Sequence, residues 1–144
     1  PLMQEQDTVV FAYRDGEEAQ RGGSKDVAET AIRSYGLSQA RQQGVAEAAT
    51  EALRHLTARA SDTALRGFWF HFDADVLDDA VMPAVDYRLP GGLSLEEASE
   101  VLQMAHRTGQ MLGVTVTIFN PTLDSSGDAA RALTACLLAG LRNG

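Results

Sequence analysis

The sequence has one cysteine, one lysine and no apolar run long enough to cross a bilayer. A lone cysteine, Cys136, excludes an internal disulfide and suits a reducing, cytoplasmic setting. It sits in Leu133-Thr134-Ala135-Cys136-Leu137-Leu138 with no histidine after it, so it reads as a small buried apolar residue rather than a nucleophile. Basic residues are scarce, 12 against 20 acidic ones, for a net charge of −8. That balance lacks the basic stripe of nucleic-acid binders. It fits either a site that attracts cations or cationic substrates, or solubility alone. A spanning helix needs about 20 consecutive apolar residues, and a signal peptide needs a basic and then apolar start. The chain instead opens Pro1-Leu2-Met3-Gln4-Glu5. Pro1 is no natural start and a strand-like run begins at Thr8, which suggests a piece of a larger architecture.

What is present is 144 residues, 44% hydrophobic and 22% charged, the composition of an ordinary globular domain. Four strand-like runs are expected: Thr8 to Tyr13, a weaker one over Ala31 to Tyr35, the aromatic Gly67 to Phe72, and the β-branched Gly113 to Phe119. Helical spacing is expected over Gly44 to Ala60, where Val45, Ala49, Ala52, Leu53 and Leu56 share a face. Ser94 to Thr108 opens with a capping box, Ser94 with Glu97, and closes at Gly109. A last helix is expected over Asp128 to Arg142. Strands alternating with helices predict an α/β fold with a mostly parallel sheet. In such sheets ligands bind beyond the carboxyl ends of the strands.

The chemical centre is Phe68-Trp69-Phe70-His71-Phe72-Asp73-Ala74-Asp75-Val76-Leu77-Asp78-Asp79. Alternation along a strand would put Asp73 and Asp75 on one face and the phenylalanines on the other. Two carboxylates that close repel unless a cation lies between them or one is protonated. Hard divalent cations such as Mg²⁺ and Mn²⁺ favour such oxygen ligands. The competing reading is a pair of solvent-facing aspartates that open a turn.

The segment continues into Met82-Pro83-Ala84-Val85-Asp86, Pro90-Gly91-Gly92-Leu93-Ser94, Gly113-Val114-Thr115-Val116 and Asn120-Pro121-Thr122-Leu123-Asp124. This series resembles the C-terminal half of arginases, agmatinases and formiminoglutamases: a D-x-D-x-x-D segment, a proline-bearing loop, G-G-[LI]-[ST] opening a helix, and a strand ending near N-P. The resemblance covers residues 66 to 142 through motifs and residues 8 to 65 through element order. It implies a three-layer α/β/α fold in which two Mn²⁺ ions bridge a hydroxide that attacks a guanidinium or formimino carbon. It makes Asp73 and Asp75 metal ligands and Asp78 a brace for the loop. It implies too that the family's other ligands, an upstream histidine and a D-x-H-x-D segment, lie in an N-terminal half absent from these residues. The expected partners are therefore that half, a small-molecule substrate and further copies in a homo-oligomer, with no nucleic acid or membrane. Two aspartates do not complete a binuclear site, so the 144 residues alone are expected to hydrolyse nothing.

The chain also departs from the resemblance. His71 precedes Asp73 by two residues on the same strand face, where it either bonds a ligand carboxylate or has a structural role. His55 and His106 fall in helices and are expected at solvated positions. Guanidine-hydrolysing members carry a glutamate two residues before N-P's asparagine; here Ile118 stands there, and an apolar residue makes no charge-assisted bond to a cation. Tyr87 occupies the substrate-loop position of an arginase threonine. Tyr87 and Arg88 read either as contacts for an anionic or aromatic group or as plain loop surface. Ile118 and Tyr87 favour a second reading, a catalytically degenerate arginase-fold subunit kept for binding or assembly. Haloacid-dehalogenase-type phosphatases also place D-x-D after an apolar strand. They need a later lysine, however, and Lys25 precedes the pair.

Overall fold

The computed structural model describes residues 3–62 and 65–142, in two compact units, Pro1–Leu65 and Arg66–Gly144. In the first unit, strand β1 (Val9–Tyr13) pairs in parallel with β2 (Arg33–Gly36). Between them lie the short helix α1 (Gly16–Arg21) and a turn at Val27–Glu29, capped by the Asp26 side chain on the Ala28 N–H. That turn delays β2 to Arg33, two residues after the expected start. Two helices follow, α2 (Leu37–Gln43) and α3 (Val45–Asp62). Neither α1 nor α2 announces itself in the sequence, for each is under eight residues and lacks a side-chain cap. Tyr35, Ala40, Ala48 and Ala52 form the core here, with Val9 and Phe11 packed against it. Arg59 on α3 closes this unit by donating from Nε to Asp7 Oδ1 at 2.6 Å, and His55 meets the Gln6 carbonyl at 2.9 Å.

In the second unit β3 (Phe68–Asp73) pairs in parallel with β4 (Met111–Thr117). Helix α4 (Leu95–Arg107) connects them and α5 (Asp128–Leu141) follows. The β3 alternation is visible in burial: Phe68 and Phe72 are buried, Trp69 and His71 exposed. The capping box is formed as expected. Ser94 Oγ accepts from the Glu97 N–H at 3.1 Å and Glu97 accepts from the Ser94 N–H at 2.9 Å. Helix α4 buries Ala98, Val101, Leu102 and Ala105, and α5 buries Ala129, Leu133, Cys136 and Gly140. The two meet where a Cβ on Gly140 would lie 2.7 Å from the Leu102 side chain.

Cys136 is buried, with its thiol donating to the Leu95 carbonyl at 3.4 Å. Burial, and then the Glu96 carboxylate, push that thiol up to about 11. Strand β4 begins two residues before the expected Gly113, and it ends two before Phe119 because Ile118 adopts φ 68°. A left-handed conformation at a β-branched residue breaks the ladder. Both strand pairs are parallel, as the alternation of elements predicts. Among the described residues no helix is long and apolar enough to cross a membrane.

Candidate functional site

The carboxyl ends of β3 and β4 and the loops beyond them hold the residues singled out by sequence. Asp73 is the last residue of β3, and its register partner is Thr117. The strand stops there, and Ala74–Val76 forms a 3-10 turn. Asp75 therefore projects from a turn rather than from the strand, and simple alternation does not describe the pair. The turn is held from below by a parallel bridge, Leu77 to Leu93. Its bonds run from the Asp78 N–H to the Leu93 carbonyl and from the Leu93 N–H to the Val76 carbonyl, each 2.9 Å.

Between Asp73 and Asp86 the chain carries five aspartates, several with identifiable structural tasks. Asp78 accepts from the Ala80 N–H at 2.9 Å and the Gly91 N–H at 2.6 Å, tying both ends of the loop together. Asp79 faces Arg88 at 3.6 Å, and Arg88 also donates to the Asp79 carbonyl at 3.2 Å. Asp86 accepts from the Asn120 amide at 2.7 Å. Asp73 differs: its Oδ1 is buried with no hydrogen-bond partner among the described residues. A buried anionic oxygen without a donor is costly, and such atoms call for an explanation. A hard divalent cation would satisfy it. The donor chemistry of Asp73 and Asp75 fits a share of a Mn²⁺ site. Among the described residues no group of three or more His, Cys, Asp or Glu side chains is placed to hold a metal.

His71 does not bond to Asp73. Its Nδ1 meets Thr115 Oγ1 and its Nε2 meets Thr117 Oγ1, each at 3.1 Å. Thr115 also accepts from the Trp69 indole N–H at 3.2 Å. Trp69, Thr115 and Thr117 went unremarked in the sequence. The available signal was Gly113, since an isolated glycine inside a strand marks a close approach. A Cβ there would lie 2.5 Å from the Trp69 ring.

Tyr87 and Ile118 lie on the loops above. Ile118 immediately precedes Phe119, which bridges to Val85, and Tyr87 follows Val85 by two residues. They are 44% and 39% exposed for Ile118 and Tyr87 respectively, so both offer apolar surface to whatever occupies that end. The Asn120 N–H donates to the Ala84 carbonyl at 2.8 Å and fixes this junction.

Comparison with known proteins sets these features in context. The model of the arginase family matches residues 1–141. An arginase of Emericella nidulans is 27% identical over 130 residues, covering 90% of this chain and 37% of that protein. An arginase of Schizosaccharomyces pombe is 31% identical over 101 residues, 70% of this chain and 30% of its own length. The solved arginase of Bacillus subtilis superimposes with a TM-score of 0.82 at 21% identity, over 100% of this chain and 46% of that one. A Trypanosoma cruzi formiminoglutamase solved with Mn²⁺ gives 0.72 at 22% identity, over 96% and 44%. The chain thus spans less than half the length of these relatives, and it shares their fold.

Proposed function

Because this chain belongs to the arginase family, we propose that it forms part of a manganese-dependent hydrolase cleaving a C–N bond of a guanidino or formimino-type substrate. The observation that carries the reading is the buried, unpartnered Oδ1 of Asp73 at the carboxyl end of β3. Asp73 and Asp75 would hold the cations, and paired cations supply Lewis-acid activation of water and stabilise charge on the attacked carbon. The other residues shape the site. Asp78 ties the loop at Gly91 and Ala80, and the Leu77–Leu93 bridge sets the turn that carries Asp75. Ile118 and Tyr87 flank the Val85–Phe119 bridge on the loops beyond β3 and β4, and an apolar residue such as Ile118 offers no charge-assisted bond to a cationic substrate.

In this reading the remaining ligands come from an N-terminal half of the domain, in a cytoplasmic homo-oligomer. The 144 residues by themselves turn over no substrate. Release of urea or ammonia by the purified chain with Mn²⁺ would overturn that. In the longer protein, Asp73→Asn and Asp75→Asn each lower Mn²⁺ affinity measured by calorimetry, and unchanged affinity in both would refute the assignment. The apolar Ile118 favours a second reading, a catalytically degenerate subunit kept for binding or assembly. Under that reading the longer protein binds no Mn²⁺ and neither substitution has any effect.

A further inference from the structure

The face of the β3–β4 pair that carries Asp73 is crossed by a continuous line of side-chain hydrogen bonds. It starts at Trp69, which is 60% exposed and lies over Gly113. It runs through Thr115 Oγ1, both nitrogens of His71 and Thr117 Oγ1, over distances of 3.1 to 3.2 Å. It ends at the residue paired with Asp73.

Donor inventory fixes one end of this line. An indole N–H only donates, so Thr115 Oγ1 accepts at that end. The Thr115 hydroxyl keeps one proton and one further lone pair, so it either donates to His71 Nδ1, 3.1 Å away, or accepts from it. A neutral imidazole carries one N–H. With Nδ1 accepting, the proton sits on Nε2, which donates to Thr117 Oγ1. Thr117 then has its own proton directed away from His71.

We propose that Thr115 donates, giving a one-way chain that makes His71 a positioning residue: it locks the ring as the Nε2–H tautomer and presents the Thr117 hydroxyl as a hydrogen-bond donor at the Asp73 end of the sheet. The donor serves the oxygen or nitrogen of whatever is held at Asp73, so this role rests on the reading of Asp73 as a ligand. The tautomer itself does not. Gly113 is part of the device, because a side chain there would displace the indole that fixes one end of the line. Aligned chains of this kind strengthen one another by polarisation.

The test is nitrogen NMR of the chain labelled with [¹⁵N]histidine, which contains three imidazoles, at mildly alkaline pH where an ordinary imidazole is neutral. His71 is expected to show a protonated Nε2 and an unprotonated, hydrogen-bonded Nδ1. Thr115→Val removes the donor to Nδ1 and is expected to shift that nitrogen and admit the Nδ1–H form. Thr115→Ser, which keeps the hydroxyl, is expected to restore the wild-type spectrum, and Trp69→Phe to weaken the lock without removing an aromatic ring. A proton on Nδ1 in the wild type, or no response to Thr115→Val, overturns the proposal.

In the longer protein, Thr117→Val is expected to lower Mn²⁺ affinity about tenfold, as loss of an outer hydrogen bond at a metal site does, with Thr117→Ser close to wild type. An intact tautomer lock with Mn²⁺ affinity insensitive to Asp73→Asn would sink the metal reading alone. Sensitivity to Asp73→Asn with no response to Thr117→Val would sink the donor role alone.

Discussion

Gly91 and Gly92 stand side by side in the Pro90-Gly91-Gly92-Leu93-Ser94 motif, yet the structure requires glycine at each for a different reason. Gly91 has φ 77° and open space around it. Alanine there incurs the left-handed penalty of about 1–2 kcal/mol, partly offset because alanine restricts the unfolded chain. The net loss should be about 1 kcal/mol. Gly92 has no such φ, but a Cβ on it would lie 2.3 Å from the Leu77 carbonyl carbon and 2.4 Å from the Asp78 nitrogen. Those are backbone atoms and cannot swing aside. Gly92→Ala must therefore part the Leu77–Leu93 bridge, with its two bonds of 2.9 Å. Two backbone hydrogen bonds contribute about 1 kcal/mol each, and overpacking costs about 1–3 kcal/mol, so the expected loss is about 3–5 kcal/mol. Urea denaturation followed by Trp69 fluorescence reads this unit directly, since Trp69 is the chain's single tryptophan. With a slope of about 2 kcal/mol per molar, the midpoint should fall by about 2 M for Gly92→Ala and by about 0.5 M for Gly91→Ala. Equal shifts for the two variants would refute the distinction between close approach and backbone conformation.

Other consequences are checked in the same way. Asp78→Asn keeps one acceptor where the carboxylate supplies two to the Ala80 and Gly91 N–H groups; it should lose about 1–2 kcal/mol in urea melts and speed amide exchange at Gly91. Ser94→Ala removes half of the capping box at α4 and should cost about 1 kcal/mol, while Ser94→Asp should be nearly neutral in a thermal melt. The Cys136 thiol is raised from 9.0 to about 11. The unfolded chain therefore releases this proton first as pH rises. The contribution to stability is complete below pH 9 and lost between 9 and about 11. Native Cys136 should resist alkylation at pH 8 and react once the protein is denatured; rapid native labelling would contradict the burial.

Much of this molecule is written in short-range signals. The capping box at Ser94 and Glu97 spans three residues, and it forms as read. The aromatic alternation of Phe68 to Phe72 and the helical stripe of α4 are likewise local, so strand, helix and the parallel α/β arrangement were legible. The family resemblance singled out Asp73 and Asp75 through the order and spacing of their motifs. The position of Asp75 was not legible, because it depends on a turn whose form is held by Leu93, sixteen residues beyond Leu77. Nor was the frame of β4, which ends where Ile118 takes a conformation that local preference opposes. The Trp69–Thr115–His71–Thr117 line joins residues 44 and 46 apart. Local pattern thus specified the four strands and the helices α3, α4 and α5, since those depend on neighbours within a helical turn or along one strand. Tertiary structure alone decided where the strands stop, which aspartate keeps a buried oxygen unbonded and what His71 touches. Register and close approach belong to pairs of distant segments, and no local pattern encodes them.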